Sequence, residues 1–192
     1  MAKIHAIGII AEDDSDFETI KILISRITKK NLTFKKFTSG GCGKLRRKCR
    51  DYAVTLEVKG CNLLIIVHDL DRNKHVSLKA QLEQILRPSP IKEYLICIPV
   101  EEIEAWFLSD PATIKKIYSL SKPPTMKGLP ETISSPKEEL GRLVKVYSNK
   151  QKEYLNTKHN LIIAEQINMD LINQKCPSFQ LLYNFIESHQ YK

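Results

Sequence analysis

The chain has 192 residues, of which 42% are hydrophobic and 27% are charged, and its 30 Lys and Arg against 22 Asp and Glu give a formal net charge of +8. This length and composition suit one globular domain and exclude a disordered chain, a coiled coil or a collagen-like repeat. The positive charge favours a polyanionic partner such as nucleic acid. The five cysteines are odd in number and form no C-x-x-C pair, so we expect neither a disulfide framework nor a zinc site.

The sequence also predicts a cytoplasmic protein. No apolar run approaches the length of about 20 residues that spans a membrane. The N-terminal stretch MAKIHAIGIIAEDD has acidic residues directly after its short apolar part, which is unlike the cleavage region of a signal peptide.

The spacing of apolar residues in the first half of the chain predicts alternating strands and helices. The run 4–10 indicates a first strand, and Ser15-Asp16-Phe17-Glu18 has the S-x-x-E form of a capping box, so a helix should begin at Ser15 and end near Lys29. The elements that follow are a strand at 32–37, a helix at 45–56, a strand at 63–67, a helix at 77–86 and a strand at 94–98. We therefore predict an α/β fold with a mainly parallel four-stranded sheet flanked by helices.

The second half of the chain has a helical pattern. A helix that carries EEIEAWFLSD should end near Asp110-Pro111, and prolines then mark an irregular stretch up to Pro130. Ser135-Pro136-x-Glu138 is a second capping-box pattern, with proline at the first helical position. Helices are predicted at 136–147, around 160–173 and at 178–188. We predict an α/β domain over residues 1–120 and a helical C-terminal portion, packed on it, over residues 121–192.

Acidic residues follow three of the four predicted strands. They are Glu12 after the first strand, Asp69 and Asp71 after the third, and Glu101, Glu102 and Glu104 after the fourth. The carboxyl ends of parallel strands meet at one edge of a sheet, where α/β proteins bind their ligands. Because carboxylate oxygens are the ligands that Mg²⁺ and Mn²⁺ prefer, we expect a divalent metal site at this edge.

Spacing limits which of these carboxylates can share an ion. Asp69 and Asp71 lie on the same side of an extended segment, since successive side chains alternate there. Glu102 and Glu104 share a side if the chain is still extended, whereas Glu101 and Glu104 are neighbours if a helix has already begun. The spacing alone leaves both arrangements open.

A basic segment accompanies the acidic residues. Residues 19–50 contain eleven Lys or Arg and no Asp or Glu. The apolar stripe of the second predicted helix leaves its basic residues mainly for the exposed face: Lys44, Arg46, Arg47, Lys48 and Arg50. Beside an acidic metal site, such a face can hold a phosphodiester backbone. The alternative is that these residues only keep the helix surface solvated.

The order of the acidic motifs carries a family resemblance. Glu12 and Asp16 form E-x-x-x-D where a helix opens after the first strand, and Asp69 and Asp71 form D-x-D at the end of the third. This order resembles the Toprim (topoisomerase-primase) superfamily, with Asp13 where those proteins usually have glycine. The stretches IPVEEIEAWFLSD and TKHNLIIAEQINMDLINQKCPSF are similar to segments of small stand-alone bacterial Toprim-like proteins, relatives of the overcoming-lysogenization-defect nucleases of phage-defence systems.

The resemblance implies a Toprim-like fold and a nuclease that depends on Mg²⁺ or Mn²⁺ and cleaves DNA or RNA. The metal ligands and catalytic residues that it implies are Glu12, Asp69, Asp71 and Glu104, with Glu102 as the alternative to Glu104 and Asp16 as a ligand of a second metal or a water. Nucleic acid would contact Lys44, Arg46, Arg47 and Arg50. Partner ATPases accompany some Toprim nucleases, so the activity can require a partner protein.

Less specific interpretations remain for individual residues and for the whole chain. Asp16 can simply be a carboxylate that the dipole of a helix N-terminus favours, and Glu18 fits a capping role. The whole chain can instead be a non-catalytic effector subunit of the same fold. Its acidic site would then be structural or sense a metal, and its basic face would dock nucleic acid or a partner protein.

Overall fold

A parallel four-stranded sheet forms the centre of the protein in a computed structural model that describes residues 5–190. The strands are β1 (Ala6–Ala11), β2 (Thr33–Thr38), β3 (Leu63–Val67) and β4 (Tyr94–Cys97), in the spatial order β2-β1-β3-β4. The central strands β1 and β3 are buried along their whole length, as expected for strands covered on both faces. The structure confirms the predicted α/β class; residue 4 of the predicted first strand lies outside the described residues.

Helices cover both faces of the sheet and make up the C-terminal portion. In chain order they are α1 (Asp14–Thr28), α2 (Cys42–Val58), α3 (His75–Leu86), α4 (Glu104–Phe107), α5 (Pro111–Tyr118), α6 (Pro136–Tyr147), α7 (Asn156–Gln166), α8 (Met169–Lys175) and α9 (Pro177–Gln190). A 3₁₀ turn at Pro130–Thr132 precedes α6. Among the described helices, none is long and apolar enough to cross a membrane.

The two faces of the sheet bury separate cores. Alternate residues of β1 and β3, such as Ile9 and Ile65, pack with α1 and the C-terminal helices. Their neighbours Ile10 and Ile66 pack with α2 and α3 on the other face. At Gly8, a Cβ atom would lie 2.9 Å from Leu56 Cδ1, so glycine is what lets α2 pack this closely on β1. The carboxyl end of the sheet therefore lies between α1 and α7 on one side and α2 on the other.

The predicted capping box at Ser15 is wrong. Asp13 is the N-cap of α1, and its Oδ1 accepts a hydrogen bond of 3.0 Å from the Asp16 backbone N–H. Ser15 is buried in the first turn and donates its hydroxyl to the carbonyl of Asn156 at 3.2 Å. Glu18 pairs with a lysine one turn on instead of capping. The extended backbone of Asp13 aims its carboxylate at an N–H group that has no partner within the helix.

The residues that were expected to end a helix at Asp110-Pro111 begin one. Helix α4 is only four residues long, and α5 starts at Pro111 with Asp110 as its N-cap. Asp110 accepts from the backbone N–H groups of Thr113 at 3.1 Å and Asn168 at 3.0 Å. A capping aspartate followed by proline at the first helical position is a start signal, because that position needs no backbone donor.

The single helix expected around residues 160–173 is two helices. Helix α7 ends at Gln166 and α8 begins at Met169. Asn168 caps α8, since its Oδ1 accepts from the Asp170 N–H at 2.9 Å, while its own N–H donates to Asp110. A local side-chain cap and a long-range contact therefore break the chain where the apolar pattern is continuous. The helices predicted at 136–147 and 178–188 are confirmed as α6 and α9.

Candidate metal centre

Carboxylates from three strand ends influence one another at the carboxyl edge of the sheet. Glu12 follows β1, and burial together with the charges of Asp71 and Asp13 raises the pKa of its carboxyl to about 7. Asp16, in the first turn of α1, has a pKa raised to about 8 by burial and then by Asp13, Glu104 and Glu12. Such shifts arise when several carboxylates share one desolvated site.

Asp69 connects the group. Burial raises the pKa of its carboxyl well above the usual range, and the charges of four neighbours add to the effect: Asp16, Glu104, Glu12 and Asp71. The charge of every other predicted catalytic carboxylate thus raises the pKa of Asp69, and so does the charge of Asp16. The structure brings these five predicted residues together at one edge.

Two oxygens in this group lack a partner. Glu12 Oε1 and Asp69 Oδ1 are shielded from solvent and accept no hydrogen bond within the described part of the chain. Burying an anionic oxygen without a partner is costly, and a bound cation removes that cost. An all-carboxylate donor set of this kind fits a hard divalent ion such as Mg²⁺ or Mn²⁺.

Glu104 is a buried carboxylate of the centre, with a residue exposure of 5%. Tyr154 donates its hydroxyl to Glu104 Oε1 at 2.7 Å, and Asn160 Nδ2 donates to the same oxygen at 3.2 Å. The Tyr154 hydroxyl also contacts Asn160 Oδ1, so the three side chains form one closed network. The sequence analysis did not identify Tyr154 or Asn160, which lie at least 50 residues from Glu104 and carry no motif that links them to it.

His68 lies next to the centre without neutralising it. Its ring is fully buried, and Nδ1 lies 2.7 Å from the Asp69 carbonyl oxygen and 3.6 Å from Glu12 Oε1. A carbonyl oxygen can only accept, so Nδ1 carries the proton. Burial lowers the pKa of His68, which keeps the ring neutral at neutral pH. The negative charge on Glu12 is therefore not compensated by an imidazolium.

Cys42 is a residue of the centre that the sequence analysis missed. Its Sγ and carboxylate oxygens of Glu12 and Asp71 all lie within 4.8 Å of one another. Cys42 is the first residue of α2, which directly follows the turn after β2. A helix that follows a parallel strand starts at the carboxyl edge of the sheet, so topology could have placed this thiol near Glu12.

The other two glutamates after β4, Glu101 and Glu102, accept hydrogen bonds from backbone N–H groups. Glu102 Oε2 accepts from the Lys137 N–H at 3.0 Å in the first turn of α6, and burial is the main cause of its raised pKa. Glu101 Oε2 accepts from the Arg72 N–H at 3.0 Å. Both line a small cavity of about 240 Å³ beside Asp71. Of the three glutamates, only Glu104 raises the pKa of Asp69, while Glu102 accepts from the first turn of α6 and Glu101 from the Arg72 backbone.

The predicted basic residues lie on the outer face of α2. Lys44, Arg47 and Arg50 are exposed, and Arg46 is partly exposed. The charge of Arg46 lowers the pKa of Glu12, which opposes the effect of the neighbouring carboxylates. A basic surface therefore begins directly beside the acidic centre.

Comparison with known proteins identifies one family. No curated protein and no solved structure matches the chain. The sequence pattern of a family described as "Domain of unknown function (DUF4276)" matches residues 11–187, a range that includes every carboxylate of the centre. The chain therefore belongs to the DUF4276 family.

Proposed function

We propose that this protein is a divalent-metal-dependent nuclease that hydrolyses phosphodiester bonds of DNA or RNA. The observation that carries the proposal is the convergence of Glu12, Asp16, Asp69, Asp71 and Glu104, whose charges raise the pKa values of the buried members of the group. Protonation relieves this repulsion at low pH, and a bound cation relieves it when the carboxylates are ionised. The Toprim-like order of the motifs supports the choice of a nuclease.

The metal ligands in this proposal are Glu12, Asp69, Asp71 and Glu104, with Asp16 for a second ion or a water. Mg²⁺ or Mn²⁺ held by these residues would supply Lewis-acid chemistry, which polarises a phosphodiester, activates water and stabilises a leaving oxygen. Tyr154 and Asn160 hold Glu104 in place through Oε1. Because Glu104 is held before the ion binds, little free energy is lost to rearranging this ligand.

The substrate backbone is held by α2 in this proposal. Lys44, Arg46, Arg47 and Arg50 start beside Cys42 and continue along the exposed face of the helix. Lysine and arginine bind phosphates without regard to base sequence, and the affinity that they supply falls as salt rises. The acidic centre would then face one phosphodiester while the helix holds its neighbours.

Cleavage assays on three substrates test the proposal. Supercoiled plasmid, single-stranded DNA and transfer RNA are incubated with Mg²⁺ or Mn²⁺ and with wild-type protein, Asp69→Ala or Glu12→Ala. Asp51→Ala is the matched control, because Asp51 is an exposed residue on α2 whose carboxylate pairs only with Lys48 in the described structure. We expect cleavage by wild type and Asp51→Ala, and none by the other two variants.

Other outcomes lead to other conclusions. Equal cleavage by all four proteins would indicate a contaminating nuclease and contradict the proposal. Binding of Mn²⁺ without cleavage of any substrate favours the non-catalytic effector subunit, and the assay is then repeated with candidate ATPase partners. Intact folding of each variant is verified by circular dichroism.

A further inference from the structure

We propose that Cys42 is a sulfur ligand of this metal centre and that it makes the centre bind thiophilic divalent ions, such as Co²⁺, Zn²⁺ and Cd²⁺, in competition with Mg²⁺. The inference rests on the proposed metal-dependent function, since it adds a ligand to the same centre. It assigns a role that neither the acidic motifs nor their resemblance to Toprim proteins includes.

The geometry places three ligand atoms close enough for one ion. The Cys42 Sγ and carboxylate oxygens of Glu12 and Asp71 lie within 4.8 Å of one another. Around a tetrahedral ion with bonds of about 2.0 Å to oxygen and about 2.3 Å to sulfur, neighbouring ligand atoms lie about 3.3 to 3.5 Å apart. Movements of up to about 1 Å in each side chain therefore bring all three atoms onto a common ion. Asp71 is exposed and Cys42 is partly exposed, so small adjustments of their side chains meet little packing resistance.

A second observation concerns the Glu12 carboxylate. Glu12 Oε1 is shielded from solvent and has no hydrogen-bond partner within residues 5–190. Its nearest imidazole, that of His68, is fully buried and donates its Nδ1 proton to a backbone carbonyl 2.7 Å away. The shielded oxygen of Glu12 is thus available to an ion.

Cys42 differs from the other cysteines of the chain. It is partly exposed, whereas Cys49, Cys61, Cys97 and Cys176 are buried with exposures of 5% or less. Buried cysteines in apolar surroundings act as small hydrophobic residues, while metal binding needs an accessible thiolate. Thiolate is a soft ligand that favours Zn²⁺ and similar ions over Mg²⁺, which prefers oxygen. One thiol beside two carboxylates therefore changes which ions the centre prefers.

The consequence is inhibition by thiophilic ions. An ion held by Cys42, Glu12 and Asp71 occupies two of the carboxylates that the proposed nuclease needs for Mg²⁺. Replacing the thiol removes the preference and leaves the oxygen ligands in place. Cys42→Ser should therefore lose affinity for Co²⁺ and Cd²⁺ while keeping its affinity for Mn²⁺.

Absorption spectroscopy of the Co²⁺-loaded protein tests the assignment directly. Wild-type protein should show a sulfur-to-cobalt charge-transfer band in the near ultraviolet, and Cys42→Ser should lack it. By calorimetric titration, the variant should bind Cd²⁺ more weakly by a factor on the order of 10 to 100, as expected when a metal site loses part of its coordination. Its affinity for Mn²⁺ should change by less than about threefold, because Mn²⁺ prefers oxygen ligands.

Matched variants keep the test decisive. Cys61→Ala removes a thiol that precedes β3 at the opposite edge of the sheet, so it should retain the cobalt band. Cys42→Ala replaces Cys42→Ser if the serine variant fails to fold by circular dichroism. Absence of the band in wild type, or its persistence in both Cys42 variants, overturns the inference. Because this readout needs no substrate, a cobalt band in a protein that cleaves nothing, either alone or with candidate ATPase partners, would refute the nuclease and leave the sulfur ligand standing.

Discussion

The proposed metal centre has two sides that are held in different ways. The deep side consists of Asp16, Asp69 and Glu104, and the open side of Glu12, Asp71 and Cys42. On the deep side, Glu104 is 5% exposed and accepts hydrogen bonds from the two side chains that α7 and its preceding loop supply. On the open side, Asp71 is exposed in a loop and Cys42 begins a helix after a glycine turn.

We expect the two sides of the proposed centre to have different roles, one in positioning the ion and the other in selecting it. Ligands locked by packing and hydrogen bonds set the position of an ion in advance. Ligands on exposed loops can adjust, and they decide which ions and which substrates the centre accepts. We therefore expect changes on the deep side to affect metal binding in general and changes on the open side to affect selectivity.

The largest loss of metal affinity should come from Asp69→Asn, because the Asp69 carboxyl interacts with carboxylates on both sides of the centre. Its carboxyl interacts with Asp16 and Glu104 as well as with Glu12 and Asp71. We expect Mn²⁺ affinity, measured by calorimetric titration, to fall by about 100-fold or more, and cleavage to be lost. The metal-free protein should melt at a higher temperature than wild type at alkaline pH, since asparagine cannot take on the buried negative charge that a carboxyl acquires as the pH rises.

Asp69→Asn should lower the metal affinity but raise the melting temperature of the metal-free protein. This combination distinguishes the loss of a metal ligand from a loss of folding. A general loss of folding would lower both the metal affinity and the melting temperature. Asp51→Asn, which changes an exposed carboxylate on α2, should alter neither by a measurable amount. A metal-free Asp69→Asn protein that melts below wild type would contradict the repulsive arrangement that we describe.

A smaller effect is expected when only the deep side is changed. Tyr154→Phe removes the hydroxyl that holds Glu104 Oε1 at 2.7 Å and leaves every carboxylate in place. We expect about tenfold weaker binding of both Mn²⁺ and Co²⁺. Electron paramagnetic resonance of bound Mn²⁺ should report a less uniform site. Tyr147→Phe is the control, since its hydroxyl accepts from the Thr125 N–H and lies outside the network.

The opposite result for Tyr154→Phe would weaken the distinction between the two sides. If the variant lost Co²⁺ binding but kept its Mn²⁺ affinity, the deep side would be setting selectivity instead of position. That outcome would also conflict with the sulfur assignment of Cys42.

Substrate binding should respond to the basic face of α2, which begins beside the open side. The double variant Arg47→Ala/Arg50→Ala should bind single-stranded DNA several-fold more weakly, and the slope of log affinity against log salt should decrease by about 1 for each phosphate that the protein no longer neutralises. Fluorescence anisotropy in EDTA measures this binding without cleavage. Lys79→Ala, an exposed lysine on α3, serves as the control. An unchanged slope would place the nucleic acid elsewhere on the surface.

The smallest predicted effect is a pH dependence of stability in the absence of metal. The pKa of Glu12 is raised from 4.5 to about 7, and that of Asp16 from 3.8 to about 8. Raised carboxyl pKa values favour the protonated folded state, so their contribution to stability is complete below about pH 4 and is lost as the pH rises to about 8. We expect the melting temperature to fall by a few degrees between pH 5.5 and 8.5.

Bound metal should oppose the fall in melting temperature with rising pH, because the ion replaces the protons on the carboxylates. The stabilisation by Mn²⁺, measured as the shift in melting temperature, should therefore be larger at pH 8 than at pH 5.5. Asp16→Asn should flatten the pH dependence of the metal-free protein. A metal-free melting temperature that stays constant over this window would mean that the carboxylates are further apart than the structure places them.

Much of the fold follows from local patterns. The continuous apolar run at 63–67 predicts β3 with its observed bounds, and the proline after Ser135 predicts where α6 begins. Helix boundaries were less reliable where two signals compete. Asp110-Pro111 fits both the end of one helix and the start of the next, and the contacts of Asp110 with the Thr113 and Asn168 N–H groups identify it as a start.

The positions of acidic residues after three predicted strands of a parallel sheet were enough to predict that Glu12, Asp69 and Asp71 converge. Local patterns did not show that Glu104 joins them while Glu102 holds the start of α6, or that Tyr154, Asn160 and Cys42 lie at the centre. These features depend on long-range contacts. Periodicity reports which side of its own strand or helix a residue occupies, whereas the bonds between Glu104 and α7 depend on packing between segments more than 50 residues apart.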